Sequence, residues 1–319
     1  MDTSRRWLVA GSTALILVSG ACSGDDATVQ SGAGAPPTTT APAVAATPMF
    51  PAGTTMAAIQ AKGKLVVGTR FDLRGFGVKS AATGVVEGFD IEIAKGIAAG
   101  IFGGTPSDAV KKIDFQDSVA ASREASITDG QVDIVVAAYR ITDVARQQID
   151  YAGPYFVAGQ DILVKSGEAS IKGVIDLNEK KVCTSRVSGA AAANVKAKAP
   201  QAESIQFDTT AQCAEALADG RVDAVASVNT SLIGPLEDSK GAFKLVGNPS
   251  TEEPNGIGLK RGDDAFRAFV NDRLEAMYVS GQWASAYAAT LGRFGWATPK
   301  PPTVDRYATA APVTTTSRP

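Results

Sequence analysis

The sequence predicts an α/β fold with two similar lobes, each a mostly parallel sheet wrapped by helices. Residues 127–136 and 217–226 resemble each other, and each is predicted as a helix end, a glycine stop and a short apolar strand. An earlier strand that ends in arginine precedes each of them, at residues 64–70 and 181–186. Apolar strands that alternate with helices indicate helix-covered parallel sheets, and the duplication predicts two of them.

The remaining elements follow the same order in both halves. Helical sequence follows the arginine-ended strands at residues 90–102 and 190–199. A later helix is predicted over residues 263–278, where apolar residues repeat at helical spacing. We expect the chain to cross between the lobes twice, at residues 151–165 and 252–256.

The first 22 residues are predicted as a targeting segment rather than as part of the fold. Two arginines precede an apolar run, residues 7–18, that is too short to span a bilayer. Residues 19–22 resemble a bacterial lipobox, which implies that Cys22 carries a lipid anchor. Plain secretory cleavage after Ala21 is the alternative.

Two segments have a composition that is typical of flexible chain. Residues 23–52 are rich in Ala, Thr, Pro, Gly and Ser, and residues 298–319 are similar. Such segments cannot bury enough apolar surface to offset the entropy lost on ordering. We expect a flexible linker at residues 23–52 and a disordered C-terminal tail at residues 298–319.

Composition excludes several functional classes. The formal net charge of −2 gives no bulk basic surface for nucleic acid. The chain has no histidine, which removes Ser-His-Asp and Cys-His catalysis and the commonest zinc ligand. It also has no phosphate-binding P-loop, no dinucleotide-binding fingerprint and no CxxC pair. The sequence therefore predicts no cofactor, no metal ion and no enzymatic activity.

Two cysteines outside the targeting segment are predicted to form a disulfide. Cys183 and Cys213 are an even pair in an exported chain, and an oxidising compartment favours a bridge. Two buried thiols are the alternative.

Residues 88–101 carry the most specific pattern of the chain, an acidic and apolar alternation that leads into a small-residue helix. They resemble the signature of the family 3 (polar amino acid) solute-binding proteins of bacterial ABC importers, of the actinobacterial glutamate- or glutamine-binding lipoprotein type. An ordinary amphipathic helix start is the alternative. The resemblance implies a periplasmic-binding-protein-like fold of type II. Lobe 1 would comprise residues 53–157 plus 253–297, and lobe 2 residues 158–252.

Candidate ligand-binding residues follow from strand ends and from the resemblance. In α/β sheets, ligands bind beyond the carboxyl ends of the strands. The candidates are Arg70, Phe71, Ala138, Arg140, Thr142, Arg186, Ser188, Gly189 and Asn229. Ser188 and Gly189 open a predicted helix, where backbone N–H groups favour an anion.

The two anchors that the resemblance implies for an amino acid are both replaced. The arginine that holds the ligand's α-carboxylate falls on Ala145, and the aspartate that holds its α-ammonium falls on Val228. Arg140 is expected to bind the carboxylate instead, because a guanidinium can form a bidentate bond. Together with Arg70 and Arg186, it indicates an acidic ligand. We expect dicarboxylates without an amine to bind about as well as glutamate.

The resemblance implies capture of a small polar, acidic amino acid (glutamate- or aspartate-like) outside the cell, and delivery to an ABC permease. The partners would be this solute, the permease subunits and the membrane through a lipid anchor, without nucleic acid and as a monomer. One alternative is an orphan or sensor lipoprotein with a dicarboxylate-like ligand. Another is a dehydratase on the same scaffold, for which Glu87, Asp90 and Asp143 are the nearest acid–base candidates.

Overall fold

The computed structural model describes residues 47–186 and 189–307. Along the first half of the chain the elements are α1 (Thr55–Lys62), β1 (Leu65–Thr69), β2 (Asp72–Leu73), β3 (Gly77–Lys79), β4 (Val86–Glu87), α2 (Phe89–Phe102), α3 (Pro106–Ala109), β5 (Ile113–Asp117), α4 (Arg123–Thr128), β6 (Ile134–Val135) and β7 (Ile149–Ala158).

Along the second half they are β8 (Gln160–Lys165), β9 (Lys181–Ser185), α5 (Gly189–Lys198), β10 (Glu203–Phe207), α6 (Thr210–Ala218), β11 (Ala224–Val228), α7 (Asn229–Asp238), β12 (Phe243–Leu245), β13 (Glu253–Lys260), α8 (Asp264–Val279) and α9 (Gln282–Thr290).

Two five-stranded sheets form the two lobes, so the predicted two-lobed α/β fold is confirmed. The first sheet has the order β5-β1-β6-β13-β7, and the second has the order β10-β9-β11-β8-β12. Each sheet is mixed rather than mostly parallel. Strands β5, β1 and β6 are parallel, as are β10, β9 and β11, whereas β13, β7, β8 and β12 pair antiparallel. The antiparallel strands are those next to the crossings between the lobes.

The duplicated segments perform the same task in both lobes. In each, a helix ends, a glycine adopts a left-handed φ of +69° or +72°, and a central strand follows. The carboxylate of Asp133 accepts the N–H of Val66 at 2.7 Å, and that of Asp223 accepts the N–H of Lys181 at 2.8 Å. The repeated Asp therefore ties the helix end to the neighbouring strand in each lobe.

The chain passes between the sheets at Gly159, between β7 and β8, and again between β12 and β13. The lobes also contact each other away from these crossings. Arg74, in the turn between β2 and β3, pairs with Glu237 at 3.2 Å and with Asp238 at 2.5 Å, at the end of α7. These acids belong to lobe 2, so the ion pairs bridge the lobes.

Aromatic packing fills the core of lobe 1 on the face covered by α2, α8 and α9. Trp283 is fully buried, and its indole N–H donates to the carbonyl of Tyr155 at 2.8 Å. Phe89 packs edge to face against Trp283 and Tyr287. In lobe 2, the predicted disulfide is confirmed: Cys183 on β9 and Cys213 on α6 are bonded and buried.

Parts of both segments predicted as flexible are ordered. Phe50 packs edge to face on Phe269 of α8, with ring centroids 5.3 Å apart. The hydroxyl of Tyr307 accepts the N–H of Tyr151 at 2.7 Å, and the N–H of Asp305 donates to a β7 carbonyl at 2.7 Å. The expectation of disorder from residue 298 onward is therefore wrong for these residues. Asp305 and Tyr307 hydrogen-bond to backbone groups of β7, which is an edge strand of its sheet.

None of the helices described here is long and apolar enough to cross a membrane. Cys22 and the targeting segment lie outside the described residues.

Candidate functional site

The candidate site lies at the carboxyl ends of β1, β5 and β6 in lobe 1. Arg70 follows β1 directly, and its guanidinium forms two hydrogen bonds of 2.7 Å with the carboxylate of Asp72. These bonds lower the pKa of Asp72 and raise that of Arg70. The charge of Arg70 is therefore compensated within its own lobe.

Arg123, at the start of α4, is a buried cation that no acid contacts among the described residues. Its residue surface is 8% exposed, and its guanidinium lies 5.0 Å from the ring centre of Tyr139. Among the described residues no carboxylate lies within 4.0 Å of it, and its Nε has no hydrogen-bond partner. Burial and the nearby charge of Arg70 lower its pKa. Because a buried charge without a partner is costly, this geometry favours an anionic group of a ligand.

Two buried hydroxyls at the carboxyl ends of β1 and β5 also lack hydrogen-bond partners among the described residues. Thr69 ends β1 and Ser118 follows β5, and a backbone hydrogen bond of 2.7 Å joins the two residues. Neither hydroxyl has a hydrogen-bond partner within the part of the chain that the structure describes. Buried polar side chains are nearly always paired. Together with Arg123, they make this end of the sheet a place where a polar ligand would complete the hydrogen bonding.

A buried acid positions the end of β6. The carboxylate of Asp90, the acidic residue of the signature segment, accepts the hydroxyl of Tyr155 at 2.6 Å and the N–H of Ala138 at 2.9 Å. Ala138 has a φ of +44°, which is unfavourable for a residue with a Cβ. Burial raises the pKa of Asp90 to about 6, although both hydrogen bonds and the charge of Arg123 oppose this. The backbone N–H of Ala138 is thus already hydrogen-bonded within the protein.

Arg140, two residues further on, lies beside the second crossing, where it forms a backbone bridge with Asn255 of β13. Its Nη1 is 3.5 Å from a carboxylate oxygen of Glu253, and about half of its side-chain surface is exposed. Glu253 is the first residue of β13, and its side chain is 10% exposed. The acid accepts hydrogen bonds from Gln160 at 3.3 Å and from Thr251 at 3.2 Å.

The remaining predicted residues of lobe 2 lie at strand ends but carry local partners. Arg186 pairs with Asp208 at 2.7 Å, and both side chains are mostly exposed. The side chain of Asn229, at the start of α7, accepts the N–H of Gly159 at 3.4 Å and so contacts the first crossing. Gly189 begins α5. Ser188 lies outside the described residues.

In lobe 1, Phe71 and Thr142 are also engaged locally. The ring of Phe71 lies 4.8 Å from the ammonium of Lys79, and the hydroxyl of Thr142 accepts the N–H of Ala145 at 3.2 Å. Arg146 pairs with Asp305 at 2.9 Å and so contacts the C-terminal segment. The guanidinium of Arg146 is therefore engaged by the C-terminal segment.

Sequence reasoning missed Arg123 and Glu253. Each of the three predicted arginines, Arg70, Arg140 and Arg186, has an acid of its own, whereas Arg123 has none within the ranges described. Arg123 lies six residues beyond the end of β5, at the start of α4, so the rule for strand ends does not select it directly. The described residues also contain no group of acids and cysteines arranged to hold a metal ion.

The amino-acid sequence also matches a known protein family. Residues 65–292 match the sequence profile of the bacterial extracellular solute-binding proteins, family 3. The chain belongs to this family.

Several relatives of this family 3 protein have named ligands. The ABC transporter glutamine-binding protein GlnH of Bacillus subtilis (strain 168) is 35% identical over 233 residues, which cover 73% of this chain and 83% of the relative. The glutamate-binding protein GluB of Corynebacterium glutamicum is 31% identical over 242 residues, covering 74% and 81%.

The chain also aligns with solved structures of the same fold, over nearly the whole length of each of them. An ancestral arginine-binding protein bound to glutamine is 32% identical with a TM-score of 0.54, covering 72% of this chain and 98% of that chain. An ancestral cationic amino acid solute-binding protein is 29% identical with a TM-score of 0.62, covering 74% and 99%. These matches support the two-lobed binding-protein fold of the family.

Proposed function

We propose that this family 3 protein captures an acidic amino acid, such as glutamate, between its two lobes and delivers it to an ABC permease. The observation that carries the proposal is Arg123, a buried guanidinium without an acidic partner among the described residues. The relatives named for glutamine and glutamate support the amino-acid class.

The chemistry of the site favours a carboxylate over a neutral group. A carboxylate can accept the Nε proton of Arg123, which lacks a partner among the described residues. The unpaired hydroxyls of Thr69 and Ser118, at the same end of the sheet, can also donate to an acceptor group of a ligand. A hydrogen bond between charged groups contributes about 1.5–3 kcal/mol. Arg70 adds positive potential, although Asp72 compensates much of its charge.

Calorimetric titration tests this proposal. We expect wild-type protein to bind L-glutamate, and Arg123→Gln to weaken that binding at least about tenfold, since a charged hydrogen bond is lost. The matched control is Arg221→Gln, which removes an exposed arginine paired with Asp219 in lobe 2. Equal affinities of wild type and Arg123→Gln for L-glutamate would contradict the proposal.

We further propose that the protein binds its ligand without catalysing a reaction. The environments of the three acid–base candidates support this proposal: Glu87 and Asp143 are exposed, whereas Asp90 is buried and hydrogen-bonded to Tyr155. Incubation with a prephenate-like acid, followed by chromatography, should leave that acid unchanged. Turnover above the buffer rate would overturn this point.

The lipid anchor on Cys22 belongs to the same proposal. We expect the wild-type protein to partition with the bacterial membrane and Cys22→Ala to be released into the soluble fraction. Equal partitioning of both proteins would show that the anchor is absent.

A further inference from the structure

The two crossings between the lobes bring one acid and one amide together. Gln160 is the first residue of β8 and Glu253 the first residue of β13. The side-chain amide of Gln160 donates to the Glu253 carboxylate at 3.3 Å, and its backbone N–H donates to the hydroxyl of Thr251 at 2.9 Å. That hydroxyl in turn donates to Glu253 at 3.2 Å. The acid is therefore held by both crossings at once.

This cluster has more acceptor atoms than donors. The side-chain carbonyl oxygen of Gln160 is buried and has no donor within the described parts of the chain. One oxygen of Glu253 receives both hydrogen bonds. Within residues 47–186 and 189–307, the other oxygen has only the contact of 3.5 Å with Arg140, which is too long for a good hydrogen bond. A buried acceptor without a donor destabilises the fold. An ammonium group, with three donors and no acceptor, is suited to these atoms.

A cation lies beside the acid. Arg140 is half exposed, and its side chain has a single long contact, the one with Glu253, among the described residues. Its planar guanidinium has donors to spare for a carboxylate. The loose pair of Arg140 and Glu253 thus presents a positive and a negative group side by side, as an α-amino acid does.

We propose that Arg140 binds the α-carboxylate of the ligand and that Glu253, with the carbonyl oxygen of Gln160, binds its α-ammonium. This inference rests on the proposed function, because it assigns two groups of the proposed amino-acid ligand. It replaces the anchors that are missing at Ala145 and Val228. It also reverses the expectation that dicarboxylates bind as well as glutamate, since glutarate has no ammonium for Glu253.

The experiment compares L-glutamate with glutarate by titration calorimetry. Wild-type protein should bind L-glutamate at least about tenfold more tightly than glutarate, because the ammonium adds charged hydrogen bonds. Glu253→Gln should weaken the binding of L-glutamate at least about tenfold and leave that of glutarate within about twofold. Gln160→Leu should have the same selective effect, but a smaller one.

The neighbouring acid Glu252 is exposed, so Glu252→Gln is the matched control and should change neither affinity. Thermal unfolding of each ligand-free variant shows whether the hinge has kept its fold.

The possible outcomes distinguish a failure of the ammonium site from a failure of the proposed function. Equal weakening of both ligands by Glu253→Gln in a folded protein would mean that Glu253 only shapes the hinge, which overturns the inference. Unchanged L-glutamate binding by that variant would do the same. If wild type binds both ligands equally well, the inference falls but capture of an anion stands. If wild type binds neither, the proposed function falls, and the inference with it.

Discussion

Asp90 allows a direct test of the electrostatics of lobe 1. Its buried carboxyl group has a pKa of about 6 in the folded protein, against 3.8 for an ordinary aspartate. Because the folded state holds this proton more tightly than the unfolded state, the free energy of unfolding falls as the pH rises from about 4 to about 6. One pKa unit corresponds to about 1.4 kcal/mol, so the shift lowers stability by about 3 kcal/mol.

The perturbation is Asp90→Asn, which keeps the size of the side chain but removes its titration. The amide oxygen can still accept the N–H of Ala138, and the amide N–H₂ can donate to the hydroxyl of Tyr155. We expect wild type and variant to be about equally stable near pH 4. Above about pH 6.5 the variant should be more stable by about 3 kcal/mol, because the wild type then buries a charge.

Urea unfolding, followed by circular dichroism at several pH values, measures this difference. Taking wild type minus variant at each pH cancels the titration of all other groups to first order. A difference in the free energy of unfolding that stays constant between pH 4 and pH 7 would refute the reasoning. A wild type that gains stability over the variant as the pH rises would refute its sign as well.

Three further predictions concern binding and stability. Arg140→Ala should weaken L-glutamate binding by about 1.5–3 kcal/mol, and unchanged affinity in calorimetry would remove Arg140 from the site. Replacing Cys183 and Cys213 together by serine should lower the free energy of unfolding by about 3–4 kcal/mol, because the closed loop spans 30 residues. If both proteins unfold at the same urea concentration, the bridge contributes nothing. Tyr307→Phe should lower the free energy of unfolding by about 1–3 kcal/mol, because it leaves the N–H of Tyr151 without its acceptor. An unchanged thermal midpoint would show that the C-terminal segment does not support β7.

The architecture could be predicted because its sequence signals are local and repeated. The Asp-containing segment occurs once in each lobe, and Asp133 and Asp223 make equivalent hydrogen bonds to neighbouring strands. The cysteine pair was predictable because an exported chain favours bridging. Such features need no knowledge of how distant segments meet.

The site was predicted only in part, because its character depends on which charges lie close together. The edge strand β5 is polar and only partly buried, so periodicity did not reveal it, and Arg123 beyond its end was missed. Charge counting also treated Arg70, Arg140 and Arg186 as available cations, whereas each lies beside an acid. Only the fold shows these pairings.

The C-terminal segment shows the limit of composition as a guide. Its Pro- and Thr-rich sequence is typical of disorder. The guanidinium groups of Arg146 and Arg267 nevertheless lie 3.9 and 4.4 Å from the ring centre of Tyr307. Contacts with lobe 1 thus stabilise an ordered conformation that the local sequence does not favour by itself. Isolated residues in a flexible sequence can therefore anchor it.

A crystal structure of the protein with L-glutamate would show whether Arg123 binds the ligand. We expect a ligand between the lobes with a carboxylate oxygen about 3 Å from Nε of Arg123. A ligand bound elsewhere, or one between the lobes that leaves Arg123 without an anionic partner, would contradict it.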